Sequence, residues 1–323
     1  MRVVVTGAAG FIGSQVTGAL SGAGHEVLAV DAPRRSPTPV LARRTWDEVA
    51  ARPGVTAVET DLAVDDLDPV AAADVVIHLA GRPGVRSSWG GGRAAAERDN
   101  VLATARLLAA CARRPARLRP RVVVASSSSV YGSAPHRPNR EDDPLDPASP
   151  YAVSKVEVER LARAAARDGL RTVLLRYFSV YGPRQRPDMA FHRFVEAALD
   201  GRPLPVFGDG RKSRSFTHVR DVVAATLAAA VEELPPGVAL NVGHSEPVTV
   251  RAAIGVLAEV LGVRPEIRRE APVAGDAALT WADTGRAREL LGWTARVDLA
   301  AGLADQIAWH RALRRQEAGA VVA

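Results

Sequence analysis

A glycine triplet constrains this chain more than any other feature. Gly7, Gly10 and Gly13 stand directly behind the β-branched run Arg2–Val5 and open the helical pattern Phe11–Gly22. Strand, tight glycine turn and helix in that order make the first unit of a dinucleotide-binding sheet. The glycines serve the turn, the close approach of backbone to a pyrophosphate, and the contact of helix with strand. The helix start, with Phe11 and Ile12, then offers free N–H groups and a partial positive charge to the phosphates. Asp31 ends the next strand, 24 residues past Gly7, near the ~20-residue separation at which an acid meets the ribose. A carboxylate there repels a 2′-phosphate and favours NAD over NADP, while the neighbouring Arg34 and Arg35 weigh the other way.

Behind this unit, short β-branched runs alternate with longer helical patterns, as in a parallel sheet covered by helices. Strands are expected at Arg2–Val5, Glu26–Val30, Val55–Thr60, Val75–Leu79, Arg121–Ala125 and Thr172–Arg176. Several are apolar almost throughout, as strands buried on both faces are. Helices are expected at Phe11–Gly22, Ala94–Arg113 and Pro150–Arg167, with a surface excursion from Pro135 to Pro150. Asp61 and Leu62, after the third strand, are placed to meet the adenine; Leu79, Ala80 and Gly81, after the fourth, the pyrophosphate and nicotinamide ribose. Beyond about Ser179 the alternation loosens: a helix at Phe191–Asp200, another at Arg220–Val231, a strand at Ala239–Val242, and a closing helix at Leu299–Leu313. The expected architecture is a Rossmann doubly wound α/β domain over 1–178, joined by 220–243. A smaller interleaved lobe of 179–219 and 244–323 would bind substrate.

Composition narrows the class. The net charge is +6, but the arginines are scattered and no basic run is interleaved with aromatics, so nucleic acid is not an expected partner. No stretch approaches the ~20 apolar residues of a membrane span, and the N-terminus carries no targeting pattern. The single cysteine, Cys111, fits a reducing compartment, and a cytoplasmic location is expected.

Tyr151 and Lys155 are spaced i, i+4 and so share one helix face. Ser149 suits the N-cap and Pro150 the first helical position. With four tyrosines and two lysines in 323 residues, this spacing arises by chance in about one such chain in forty. An ammonium beside a phenol lowers its pKa. Tyr151 is therefore expected to act as general base on a sugar hydroxyl, with Lys155 also holding the nicotinamide ribose.

These motifs together resemble the extended short-chain dehydrogenase/reductase family, in its nucleotide-sugar epimerase/dehydratase branch. The resemblance runs through Thr6–Ser14, His78–Gly81, Ser126–Gly132, Tyr151–Lys155, Arg176–Pro183 and Ala287–Trp293. It implies NAD as cofactor, no metal, and a homodimer formed through Ala94–Arg113 and Pro150–Arg167. It also implies Ser127 as the catalytic hydroxyl beside Tyr151. In the branch's 4,6-dehydratases the next two positions are Asp and Glu, and decarboxylating members keep the Glu. Here they are Ser128 and Ser129, which leaves oxidation at C4, rotation of the 4-keto sugar and return of the hydride to its other face.

The same resemblance places Phe207 at the nucleotide base, Arg214 at the diphosphate and Asp276 at the nucleoside ribose. An arginine common three residues before that acid is here Val273. The segment Arg184–Ala190 most resembles the UDP-glucuronate 4-epimerases, and implies that Arg186 binds the sugar carboxylate amid Ser128, Ser129 and Ser179, with Arg86 in a loop nearby. A clamp is needed there because the 4-keto uronate is a β-keto acid. It loses CO2 once its carboxylate turns out of the ring plane. Three other readings stay open: a UDP-glucose/UDP-galactose 4-epimerase, a dehydratase or decarboxylase, and a non-catalytic NAD-binding protein.

Overall fold

The computed structural model describes residues 1–133, 137–271 and 275–322, with side chains to Glu317. Pro135 and Val273 lie outside the described residues. Six strands, β1 (Arg2–Thr6), β2 (Glu26–Asp31), β3 (Val55–Glu59), β4 (Val75–His78), β5 (Arg121–Ser127) and β6 (Thr172–Tyr177), form one sheet with a late strand, Val238–Val242. The order across it is Val238–Val242, β6, β5, β4, β1, β2, β3, and every pairing is parallel. The chain reverses direction of growth between β1 and β4. In such sheets the ligand crevice opens there, beyond the carboxyl ends of the strands.

Period-two alternation sorts the strand residues onto two faces. Val3, Val5, Ala29, Ile77 and Leu175 face one core with α1 (Phe11–Gly22) and the helix Val219–Val231. Val4, Val30, Val76, Val124 and Leu174 face the other, against Leu107, Cys111 and Val158. A separate core joins the helices Ala190–Leu199, Val250–Leu261 and Leu299–Val322 through Phe191, Phe194, Leu257 and Leu303. Among the described residues no helix is long and apolar enough to cross a membrane.

Some expectations are altered by the structure. The helix expected over Ala94–Arg113 starts at Gly92 and passes through a π-helical stretch, Glu97–Leu102, before Ala103–Arg113. The closing helix runs on to Val322. A helix at Pro39–Ala50 was not anticipated, although Trp46 and Val49 give it a buried face. The segment read as a surface excursion is pinned instead. Asn139 bridges to Ala282, and the Glu141 carboxylate, 7% exposed, accepts the Asn241 N–H at 2.8 Å. The stretch 285–295, expected with the smaller lobe, sends Ala287, Leu291 and Trp293 into the core beside α1.

The helix Pro150–Arg167 is fixed at both ends. Ser149 Oγ accepts the Ala152 N–H at 3.2 Å, and Pro150 fills the first turn, as expected of a well-specified start. Further along, Glu159 is fully buried and forms a two-point pair with Arg176 of β6, Nε at 2.8 Å and Nη2 at 2.7 Å. Ser126 adds a hydrogen bond to Glu159 at 2.6 Å. On its other side, Arg176 donates to the Tyr131 hydroxyl at 2.6 Å, which donates to Asn241 Oδ1 at 2.7 Å. Burial pushes the Glu159 carboxyl up, but the Arg176 fork outweighs it and holds the group below its usual 4.5.

A depressed folded-state pKa contributes stability above the unfolded value, and that contribution is lost as pH falls through the folded one. Glu159→Gln leaves a buried guanidinium short of its counter-charge and is expected to destabilise the fold by about 3–5 kcal/mol at neutral pH. Urea midpoints give the measurement. The difference from the unsubstituted protein should shrink as pH drops below about 4.5.

Candidate active site

The site begins at the turn after β1. Gly7 has φ +73°, open to glycine at little steric cost, and a Cβ there would sit 2.7 Å from the Ala80 nitrogen. A Cβ on Gly13 would lie 2.0 Å from the Gly7 carbonyl oxygen. The triplet thus lets α1 press against the turn with its first N–H groups bare. Asp31 braces the same loop, accepting from the Ala9 N–H at 2.8 Å and the Ala32 N–H at 2.7 Å. Burial pushes its carboxyl above the ordinary value despite these bonds.

Every residue expected to hold the cofactor, from Gly7 through Lys155, lines a single cleft at the carboxyl ends of the strands, and Arg186 lines it with them. Sequence reasoning missed Arg82 and Asp99 in that wall. Arg82 donates to Asp99 Oδ2 from Nε and Nη2 at 3.1 and 2.9 Å, and reaches the Arg35 carbonyl at 3.1 Å. Arg98 joins Asp99 to Asp61, at 2.9 and 2.6 Å. Burial opposes ionisation of Asp61, yet Arg98, the Ala63 N–H and Arg35 hold its carboxyl below the usual range. Arg82 was legible as the residue after Leu79-Ala80-Gly81; Asp99 sits in the π-helical stretch and had no signal.

Tyr151 and Lys155 face the cleft from the first turns of their helix. Lys155 Nζ donates to the Ala125 carbonyl at 2.9 Å, and burial lowers its pKa to about 8. The expected lowering of the Tyr151 pKa is not found. Burial raises it above 10, and the opposing influences are a hydrogen bond from Ser127 and the charge of Arg186, not Lys155. Removal of the phenol from water therefore outweighs its partners. Ser127 Oγ in turn accepts the Ser129 N–H at 3.2 Å and the Ser129 hydroxyl at 2.9 Å. Ser129 thus supports Ser127, while Ser128 is buried beside it.

The other expected substrate residues lie in the loops and strands beyond. Arg214 donates to Asp276 Oδ1 and the Ala277 carbonyl, both at 2.6 Å, and Lys212, not anticipated, meets Asp276 Oδ2 at 2.9 Å. Burial raises the Asp276 carboxyl, but the two cations hold it low. Two guanidiniums approach the Phe207 ring, Arg86 at 4.7 Å and Arg193 at 5.1 Å from its centre. Arg186 grips Asp188 through Nε and Nη2 at 2.9 and 2.8 Å. Ser179 holds a strained φ of +30°, with its carbonyl fixed by the Thr217 N–H at 3.2 Å. His192, Glu196 and His310 bring donor atoms within 4.8 Å of one another, and Arg314 shares the same carboxylate at 2.5 Å.

Fold, glycine cradle and Tyr–Lys pair together define an NAD-binding enzyme of the short-chain dehydrogenase/reductase type. The chain belongs to the NAD dependent epimerase/dehydratase family, whose pattern matches residues 3–243. It is 36% identical over 321 residues to an uncharacterized UDP-glucose epimerase, YtcB, of Bacillus subtilis, covering 98% of this chain and 100% of that one. A UDP-glucuronic acid 4-epimerase from Bacillus cereus, crystallised with UDP-glucuronic acid and NAD, superposes with a TM-score of 0.91 at 34% identity, covering 97% of this chain and 100% of that one. The protein MoeE5, crystallised with UDP-glucose and NAD, superposes with a TM-score of 0.86 at 42% identity over 97% of this chain and 100% of that one.

Gly13→Ala tests the cradle. Its Cβ meets backbone, not a movable side chain, so α1 must retreat. NAD affinity is expected to fall by about tenfold or more, read by calorimetric titration of the cofactor-stripped protein.

Proposed function

We propose that this protein is an NAD-dependent nucleotide-sugar 4-epimerase that interconverts UDP-glucuronate and UDP-galacturonate. The observation that carries the reading is Arg186: a guanidinium lining the cofactor cleft, close enough for its charge to act on the Tyr151 phenol. The Bacillus cereus enzyme with UDP-glucuronic acid bound supports it.

The residues present suit NAD. The glycine cradle would be filled by any Cβ, α1 presents its N-terminus to the phosphates, and Asp31 stands at the ribose position. Bound in this cradle, NAD would supply the acceptor, and then the donor, of the C4 hydride. Tyr151 takes the C4 hydroxyl proton and later gives it back, with Ser127 hydrogen-bonding the phenolate and the sugar oxygen. Lys155, held by the Ala125 carbonyl, keeps the ribose in place. Ser128 and Ser129 supply no acid to drive water loss. Arg214 and Lys212, balanced by Asp276, meet the diphosphate, and Phe207 packs on the base. Arg186 holds the carboxylate near the ring plane, where the 4-keto sugar keeps it.

A neutral-sugar 4-epimerase is the second reading, favoured by the Bacillus subtilis relative, while MoeE5 has been crystallised with either sugar. We also propose a cytoplasmic homodimer. Leu102 and Val153 are 46% and 52% exposed on the two helices expected at the dimer face, which light scattering will test.

Anion-exchange chromatography with mass detection decides between the sugars. UDP-glucuronate incubated with the protein is expected to give a second peak of unchanged mass. Arg186→Ala should abolish that peak, and unchanged uronate kinetics would sink the carboxylate role. A separate expectation concerns pH. Ser127 lowers the pKa of a base that works deprotonated, so Ser127→Ala should move the rising limb of kcat against pH to more alkaline values and cut kcat about 10²-fold.

A further inference from the structure

Arg186 is gripped along one edge only. Nε and Nη2 are taken by the two oxygens of Asp188, at 2.9 and 2.8 Å. A guanidinium has a second edge, made by Nη1 and the outer N–H of Nη2, with two parallel donors that match a carboxylate equally well. Among the described residues Nη1 of Arg186 makes no hydrogen bond, although the side chain lines the cleft of Tyr151.

Asp188 is itself anchored. Its backbone carbonyl accepts from Arg86 Nη2 at 2.7 Å, and that guanidinium lies over Phe207. Burial pushes the Asp188 carboxyl up, but the Arg186 fork outweighs it and keeps the group ionised. Asp188 alone would cancel the charge of Arg186. Arg86 restores a net positive charge where a second carboxylate must arrive.

We propose that Asp188 is a positioning residue for sugar specificity: it fixes the plane of Arg186 so that the free guanidinium edge faces the substrate carboxylate. Through Arg86 it ties that edge to the nucleotide end at Phe207. The inference rests on the uronate reading and adds the residue that makes Arg186 selective. With the side edge released, the guanidinium turns and the carboxylate of the 4-keto sugar leaves the ring plane. The C5–C6 bond then breaks, its electron pair forms an enolate that is protonated at C5, and CO2 departs. The two electrons removed at C4 stay on the nicotinamide.

Asp188→Asn and Asp188→Glu provide the test, each checked for an unchanged melting temperature. The Asn variant is expected to raise KM for UDP-glucuronate roughly tenfold while kcat changes far less. It should also divert part of the turnovers to a 4-keto pentose product, lighter by CO2 and two hydrogens, leaving reduced cofactor detectable by absorbance. The Glu variant should suppress that side product. An Asn variant with lowered KM would make Asp188 a competitor for Arg186 and overturn the inference. Unchanged KM without CO2 release would overturn it too, with the uronate reading intact. If the unsubstituted protein converts UDP-glucose and ignores UDP-glucuronate, the uronate reading itself has failed.

Discussion

Glu159 and Arg176 meet where no water reaches, and the placement of the reactive helix depends on that contact. A buried ion pair is a poor source of net stability, because removing both charges from water offsets most of their attraction. It is a better source of specificity, since a slipped helix would leave the buried Arg176 without its counter-charge and Glu159 with only Arg163 of its own helix. Here the pair joins Pro150–Arg167 to β6 while Ser126 reaches in from β5, so three elements share one register. Tyr151 sits two turns above Glu159 on the same helix. Its position against the strand ends is therefore set from below by the pairing of that buried charge with β6.

From above, the constraint is covalent simplicity rather than charge. Gly7 and Gly13 let backbone approach backbone more closely than any side chain allows, and Asp31 ties the turn to the second strand. The two devices meet at Lys155. Its ammonium donates to a main-chain carbonyl, and burial holds its pKa near 8. The phenol instead depends on Ser127, and Ser127 on Ser129. The serine run is a supporting chain of hydroxyls as much as a set of substrate contacts.

The strand and helix plan was legible because buried parallel strands and capped helices leave local marks: Val3 to Val5, Val122 to Val124, Ser149 before Pro150. The cleft was legible for the same reason, since glycine, Asp31 and the Tyr151–Lys155 spacing are local patterns. What escaped depends on partners far away in sequence. Asp99 looks like any helix acid until Arg82 and Arg98 close on it. Lys212 has meaning only beside Asp276, and Asp188 only once Arg186 and Arg86 are seen on either side of it. The pKa of Tyr151 also escaped, because burial is a property of the assembled site and no spacing encodes it.

The late strand Val238–Val242 has a consequence for how the chain is made. β6 is complete by Tyr177, but the sheet edge beside it is filled only when Val238–Val242 leaves the ribosome. Until then Tyr131 has no Asn241 to donate to, 110 residues downstream, and the Glu141 carboxylate has no main-chain N–H to accept. A nascent chain stopped before this strand carries an open sheet edge and an incomplete polar core, a state that invites pairing with other chains. The polar network around Arg176, against which the reactive helix rests, is thus completed only after the glycine cradle has already been built.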